Sequence, residues 1–293
     1  MPRGNSTGHQ IITLLTNHAT KTNQHPQRRA ELLNAAQYLV PVLNSPQRCR
    51  IQTAHQAIQQ PTHQLRTAIQ RNNRNALRHA LEGGGHIKPA YLFEALELRR
   101  FTLFTDLLAA YHGSMTIRDT NGYTLLHQAV RYGDIDAVRV LISKSIGLNV
   151  RGTYDDVTPL HLAVEHNRYD IAKLLVESGA QLTRRESING FTPLHDAAYD
   201  NRIAIAKDLL LPHLTVSDIN AADTESGKTP LHVAVSRKHY EMVSLLLRHG
   251  ANPYITTKQR YSVALHRMFP GQDAFDMAKK DVRMRRLLSG RKA

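Results

Sequence analysis

The tetrapeptide Thr-Pro-Leu-His occurs three times, at Thr158–His161, Thr192–His195 and Thr229–His232. A looser copy, Thr124-Leu125-Leu126-His127, precedes them, and a degraded one, Asp273-Ala274-Phe275-Asp276, follows. Thr124 to Thr158 and Thr158 to Thr192 are each 34 residues apart, and Thr192 to Thr229 is 37. A fixed period of this size marks an array of supersecondary units, none of which can bury its apolar face alone. Stacked units offer a long surface rather than a deep pocket, so the period points towards binding and away from catalysis.

The motif opens a helix. In Thr158-Pro159-Leu160-His161-Leu162-Ala163, Thr158 can cap the first free amides, and Pro159 fits the first helical position, where its missing N–H costs nothing. Leu160 and Ala163 are three apart and face one side, as do Leu194 with Ala197 and Leu231 with Ala234. A second helix is expected in each copy: Ala137 to Ile142, Ile171 to Val176, Ile203 to Leu211, Met242 to Leu247. Gly179 and Gly250 then end two of them. Asp119-Thr120-Asn121-Gly122 and Ser187-Ile188-Asn189-Gly190 read as tight turns that feed the next unit.

These residues resemble the ankyrin repeat: a hairpin turn, an inner helix opened by Thr-Pro-Leu-His, and an outer helix ending in a Gly-Ala-x-x loop such as Gly250-Ala251-Asn252-Pro253. The resemblance is firm over 123–258. Upstream, Ala90 to Ala95 with Phe104 to Leu108, and Leu65 to Ile69 with Ala76 to Gly84, read as two further helix pairs. Downstream, 259–271 reads as an insertion before a degenerate cap repeat over 272–290. The expected fold is all-α, an ankyrin-repeat solenoid of about seven helix-turn-helix units over 61–290, preceded by a helical N-terminal cap over 1–60. In that cap, Ala30 to Val40, Gln47 to Gln60 and Gln10 to His18 are the expected helices.

Charge is unevenly placed. The net charge is +14; residues 1–88 hold 11 Lys/Arg against 2 Asp/Glu, residues 89–277 hold 20 against 21, and residues 278–293 hold 7 against 1. Basic ends attract nucleic acid, anionic lipid or acidic protein faces, whereas the repeat body is near neutral. Cys49 is the only cysteine, so no intramolecular disulfide can form and a reducing, cytoplasmic setting is expected. No run is apolar and long enough to span a bilayer, and a secretory h-region is not seen after Met1.

Histidine is abundant, with 17 copies, so metal and acid–base chemistry must be weighed. His127, His161, His195 and His232 occupy one motif position in separate repeats, which spreads them rather than gathering them around an ion. The resemblance implies that each imidazole bonds within its own turn and towards the adjacent repeat. No phosphate-binding glycine loop or nucleophile elbow is present. Neither catalytic residues nor a metal or other cofactor is expected, and the chain is read as no enzyme.

The resemblance places recognition on the concave face, late in the inner helices and at the hairpin tips. The inner-helix residues are then Glu97, Leu98, Arg131, Tyr132, Glu165, His166, Tyr199, Asp200, Ser236 and Arg237; the tips add Arg118, Tyr154, Asp155, Glu186 and Lys228. Tyrosine and arginine amid both signs of charge suit a protein partner. The expected function is a monomeric, non-catalytic adaptor that binds another protein on this face. Two alternatives stand beside it: a secreted bacterial effector that engages a host protein through the same scaffold, and nucleic-acid binding by the basic N-terminal region. The basic tail at 278–293 reads either as a solvated helix face or as a nuclear-import or export signal.

Overall fold

The structure, a computed structural model, describes residues 62–144, 146–262 and 267–290. The helices expected before residue 61 lie outside the described residues. Two compact units divide between Met115 and Thr116. The first contains two helix pairs: 62–70 with Arg74–Glu82, and Pro89–Glu97 with Phe101–Ala110. Its core is Leu65, Ile69, Leu77, Leu92, Leu96, Leu103, Phe104, Leu107 and Leu108, all fully buried. Each such side chain contributes about 1.5–3 kcal/mol through burial.

The second unit carries five pairs. Their inner helices are Leu125–Tyr132, Pro159–Glu165, Pro193–Tyr199, Pro230–Ser236 and Ala274–Met277. The outer ones begin at Ile135–Ser143, Tyr169–Glu177, Ile203–Ile205, Tyr240–Arg248 and Val282–Leu288. Successive inner helices pack on one another in chain order. Among the described residues there are thus seven pairs, and the fold is an all-α repeat solenoid.

The Thr-Pro-Leu-His motif works as a reciprocal cap. Thr is the N-cap, Pro the first helical residue and His the third; the Thr hydroxyl serves the His amide while the imidazole serves the Thr amide. In the degraded copy Asp273 and Asp276 exchange the same two bonds, at 2.8 and 3.3 Å, so the capping chemistry survives the loss of both motif residues. Hairpins stack through backbone bonds from one repeat to the next: Thr153 N–H to Gly122 O at 3.2 Å, Ser187 N–H to Asp155 O at 2.8 Å, Lys258 N–H to Ser226 O at 2.9 Å. At the second of these turns glycine is required: Gly190 has φ +78°, and a Cβ there would meet the Thr224 hydroxyl at 2.0 Å.

The sequence predicts one continuous outer helix from Ile203 to Leu211; the structure corrects it. The α-helix covers only Ile203–Ile205, passes into a π-turn over Ala206–Leu210 and closes as 3-10 over Leu211–His213. Pro212 is the physical reason, because it has no amide to donate and its ring crowds the carbonyl four residues back. The three residues by which the 37-residue spacing exceeds 34 fall in this repeat, which also carries a short extra helix, Val216–Ile219, with a Thr215/Asp218 capping box. Between the last two pairs the insertion forms an antiparallel two-stranded ladder, Arg260–Ser262 against Arg267–Phe269.

Candidate functional site

The motif imidazoles are structural. His195 is fully buried; its Nδ1 accepts from the Thr192 amide at 3.2 Å and lies 2.8 Å from the Thr192 hydroxyl. Because Nδ1 accepts, Nε2 carries the proton, and it donates to the Lys228 carbonyl of the next repeat at 3.1 Å. His127 and His161 repeat this, reaching Val157 O at 2.9 Å and Phe191 O at 3.2 Å. Burial holds the imidazoles of His127 and His195 down to about 4, and it lowers His161 and His232 as well. The four side chains are therefore neutral rungs. Among the described residues no three His, Cys, Asp or Glu groups gather in a way that could hold a metal ion.

A second ladder runs along the inner-helix ends. The Arg202 guanidinium donates to the Glu165 carbonyl at 2.7 Å, Arg168 donates to Arg131 O at 3.4 Å, and His239 Nε2 lies 3.0 Å from Tyr199 O. Each places a polar or cationic side chain of one repeat on a carbonyl near the C-terminal end of the previous inner helix, where the helix dipole favours positive charge. The side chains at this edge are thereby held in register.

Five of the residues expected from the sequence come together here. Arg131, Tyr154, Asp155, Glu165 and His166 line an open groove of about 510 Å³, along with Thr120, Asn121, Tyr123 and Leu162. Tyr154 at the hairpin tip is 75% exposed. Asp155 is fixed: its carboxylate accepts from the Val157 amide at 3.1 Å and from the Tyr123 hydroxyl. Burial, then this bond and the charge on Asp155, push the Tyr123 phenol well above its ordinary range, so Tyr123 stays a neutral donor. Tyr199 forms a second centre, with the Arg237 guanidinium carbon 3.6 Å from its ring centroid. Asp200, beside it, pairs with Arg202 at 3.8 Å.

The remaining expected residues do other things. Glu186 is a correction: it is 7% exposed and turned inward, and its carboxylate accepts from the amides of Ile188, Asn189 and Phe191 at 2.5, 2.8 and 2.9 Å. A hairpin tip needs its amides satisfied, and Glu186 is consumed in doing so. Arg118 is exposed but holds two hairpins together, donating to Gly122 O at 2.6 Å and Arg151 O at 2.8 Å. Tyr132 and Lys228 are half-buried, and the Ser236 hydroxyl is tied to Val233 O at 2.8 Å. Glu97 and Leu98 are exposed at the end of an inner helix of the first unit. The residue that the sequence reading missed is Ile188, 68% exposed at the next hairpin tip. It lies 34 residues after Tyr154, and that spacing was the available signal.

In the basic tail, Met284 and Leu288 are buried, while Arg283 stacks over Tyr240 at 4.5 Å and Arg285 and Arg286 face solvent. Much of that run is thus the wet side of a closing helix. No described helix is long and apolar enough to cross a membrane.

Comparison with known proteins agrees with this architecture. The ankyrin-repeat model matches residues 92–186 and 181–257, in three copies. A chain from the complex of a predatory endopeptidase of Bdellovibrio bacteriovorus with its immunity protein superposes with a TM-score of 0.57 and is 27% identical; the match covers 69% of this chain and 97% of that one. No curated protein matches the sequence. With more than half of its length matched, and with the reciprocal caps and imidazole rungs in place, this chain belongs to the ankyrin-repeat family.

Proposed function

We propose that the chain is a non-catalytic protein-binding adaptor whose partner docks on the groove between the inner helices Leu125–Tyr132 and Pro159–Glu165. The observation that carries this is Tyr154: a large aromatic ring, 75% exposed, on a hairpin whose backbone is pinned on both sides. An exposed ring on a rigid support loses little freedom on binding, which makes it a good anchor. Membership of a family of interaction scaffolds supports the reading, as does the solved relative, which belongs to a complex between two proteins. Tyr132 and Tyr199 are poorer anchors, since one is half-buried and the other already lies under Arg237.

The test is site-specific photo-crosslinking in the source cell. A crosslinker at position 154 should trap a discrete protein, and one at Val282, 66% exposed on the last helix, should not. Equal trapping at both positions, or none at 154, removes the reading.

A further inference from the structure

Arginine has a regular task in this array, and one arginine departs from it. Arg118, Arg168, Arg185 and Arg202 each donate to a backbone carbonyl of a neighbouring repeat: Arg151 O, Arg131 O, Ala222 O and Glu165 O. They are struts whose donors are spent on the stack. Arg237 is exposed and held in another way, with its guanidinium carbon 3.6 Å from the centroid of the Tyr199 ring. Among the described residues its side chain enters no hydrogen bond or ion pair. Arg131 is unspent as well, but among the described residues no ring holds it. A planar guanidinium laid on an aromatic face keeps its N–H groups at its own edge, so the stack fixes Arg237 without using its donors.

The ring beneath Arg237 is itself supported. Tyr199 meets Phe191 at 6.4 Å between centroids, and Phe191 stacks on the buried His195 ring at 5.2 Å. A column of rings thus runs from the core to the Arg237 guanidinium. The acids near this column do not neutralise that charge. Asp200 pairs with Arg202 at 3.8 Å, and Asp281 accepts from the Tyr240 hydroxyl at 2.8 Å and the Met284 amide at 2.9 Å. Asp196 lies one turn before Tyr199, and no ion pair joins it to Arg237. Lys238 follows Arg237 in the chain, and Lys280 holds in the last repeat the place of Tyr199; both are exposed, and no ion pair among the described residues includes either.

The other end of the column is apolar. Phe191 is half-buried, and Ile188, at the hairpin tip of the same repeat, is 68% exposed. Glu186 accepts from the amides of both residues, so the tip is fixed beside the ring. An apolar strip therefore ends at a fixed guanidinium with free donors. We propose that this strip, from Ile188 through Phe191 and Tyr199 to Arg237, takes an acidic residue of the partner protein flanked by an apolar one. The carboxylate forks onto Arg237, and the apolar side chain rests on Ile188. Nucleic acid suits the strip less well. A base would stack on an open ring face, whereas Arg237 already covers Tyr199, and Ile188 gives a phosphate no contact. The proposal rests on the partner being a protein, as in the reading above, but not on the groove itself.

The experiment titrates the isotope-labelled full chain with acetyl-Leu-Glu-Leu-amide, with its glutamine counterpart and with a thymidylate dodecamer. The signals followed are the Arg237 Nε–H and the Ile188 methyls. The glutamate peptide should move both saturably. The glutamine peptide, equal in shape and uncharged, should bind about tenfold more weakly, as one lost charge contact of about 1.4 kcal/mol gives. Arg283, stacked 4.5 Å over Tyr240 on the last outer helix, reports unspecific pairing of charge, and its signal should stay in place. Arg237→Gln should weaken the glutamate peptide by about the same tenfold, and Arg237→Lys, which keeps the charge but not the fork, by less. Tyr199→Leu should remove the ring-current displacement of the Arg237 signal and weaken the peptide, with the unfolding midpoint little changed. Glutamine binding as tightly as glutamate, an equal shift at Arg283, or full affinity in Arg237→Gln overturns the inference. So does a thymidylate dodecamer that moves Arg237 and Ile188 at a lower concentration than the glutamate peptide. If this titration fails while crosslinking at 154 traps a protein, the adaptor reading survives; if the peptide binds while 154 traps nothing, this strip stands and the groove falls.

Discussion

The two helix pairs of the first unit and the motif repeats of the second are joined by different chemistry. Over 62–110 the links between pairs lie at the rim: Arg74 forks onto Asp106 at 2.6 and 2.9 Å, and Arg66 and Gln70 meet Glu94 at 3.3 and 2.9 Å. These contacts are exposed to solvent, and one buried bond, from the Tyr91 hydroxyl to Thr62 O at 3.3 Å, stands where the second unit has imidazoles. Over 124–232 the links are buried histidines, each capping its own helix and holding the next hairpin. The same helix-pair geometry is thus held in one case by water-exposed charges and in the other by neutral groups sealed in the stack. Surface pairs are weak and screened by salt, whereas a buried polar group left without partners is costly, so the two regions should fail under different conditions.

Acid should separate them most. The motif histidines have folded pKa values held below the unfolded value of 6.5, at about 4 for His127 and His195. The unfolded chain therefore binds more protons at mildly acidic pH. Their stabilising contribution is complete above pH 6.5 and drains away as pH falls from there towards 4. Each proton taken up on unfolding costs about 1.4 kcal/mol per pH unit, and four sites can act together. Amide protection factors at Leu126, Leu160 and Leu194 should fall between pH 6.5 and 4.5 far more than those at Leu92 or Leu107. A parallel fall in both units would remove the contrast.

Within the second unit the last rung is incomplete, which gives an internal comparison. His232 is fully buried and makes the Thr229 contacts at 3.1 and 2.8 Å, yet among the described residues its Nε2 has no hydrogen-bond partner. The equivalent carbonyl, that of Gln272 just before the Asp273 cap, accepts instead from the Thr257 amide at 3.0 Å. His195→Ala strands the Thr192 amide and hydroxyl and also the Lys228 carbonyl; His232→Ala strands only the first two. The expected losses are about 3 kcal/mol for His195→Ala and about 1 kcal/mol less for His232→Ala, one hydrogen bond being worth that much. Urea midpoints at pH 7.5 measure the difference, and equal losses would mean that the inter-repeat bond carries nothing.

The same contrast explains what the sequence made legible. Four motif repeats, their caps and their turns were readable because Thr, Pro and His recur at fixed offsets, and the structural role of the four histidines was implied by the resemblance those offsets carry. Even the degenerate repeat was readable at Asp273. The first unit was readable only as apolar spacing, since its rim ion pairs join residues 28 and 32 apart with no recurring motif. The change from α-helix to π-turn after Ile205 escaped because a leucine run favours helix as far as Pro212, and a π-turn has no composition signature. At the candidate site, the five positions on the groove were named because the resemblance to the ankyrin repeat points to the late inner helix and the hairpin tip. Glu186 misled because an acidic residue near a tip reads as surface, and only the fold shows three amides converging on it.

The smallest expected effect is at the rim of the first unit. Arg74→Ala removes a fork onto Asp106 whose side chains are 58% and 31% exposed. The pairing holds the Asp106 carboxyl below its usual range, chiefly through the hydrogen bond from Arg74, so its contribution is present above the carboxylate range and is lost only at strongly acidic pH. The mutant should unfold at a slightly lower urea concentration than wild type, with a shift that is a fraction of that for His195→Ala. Raising ionic strength to about 1 M, where screening acts within about 3 Å, should close most of that gap. The His195→Ala gap should stay open in the same salt, because its cost is desolvation of stranded groups that no counter-ion reaches. A salt-insensitive Arg74→Ala would mean that the stem of Arg74, by packing along Asp106 and its helix, joins these repeats through apolar contact after all.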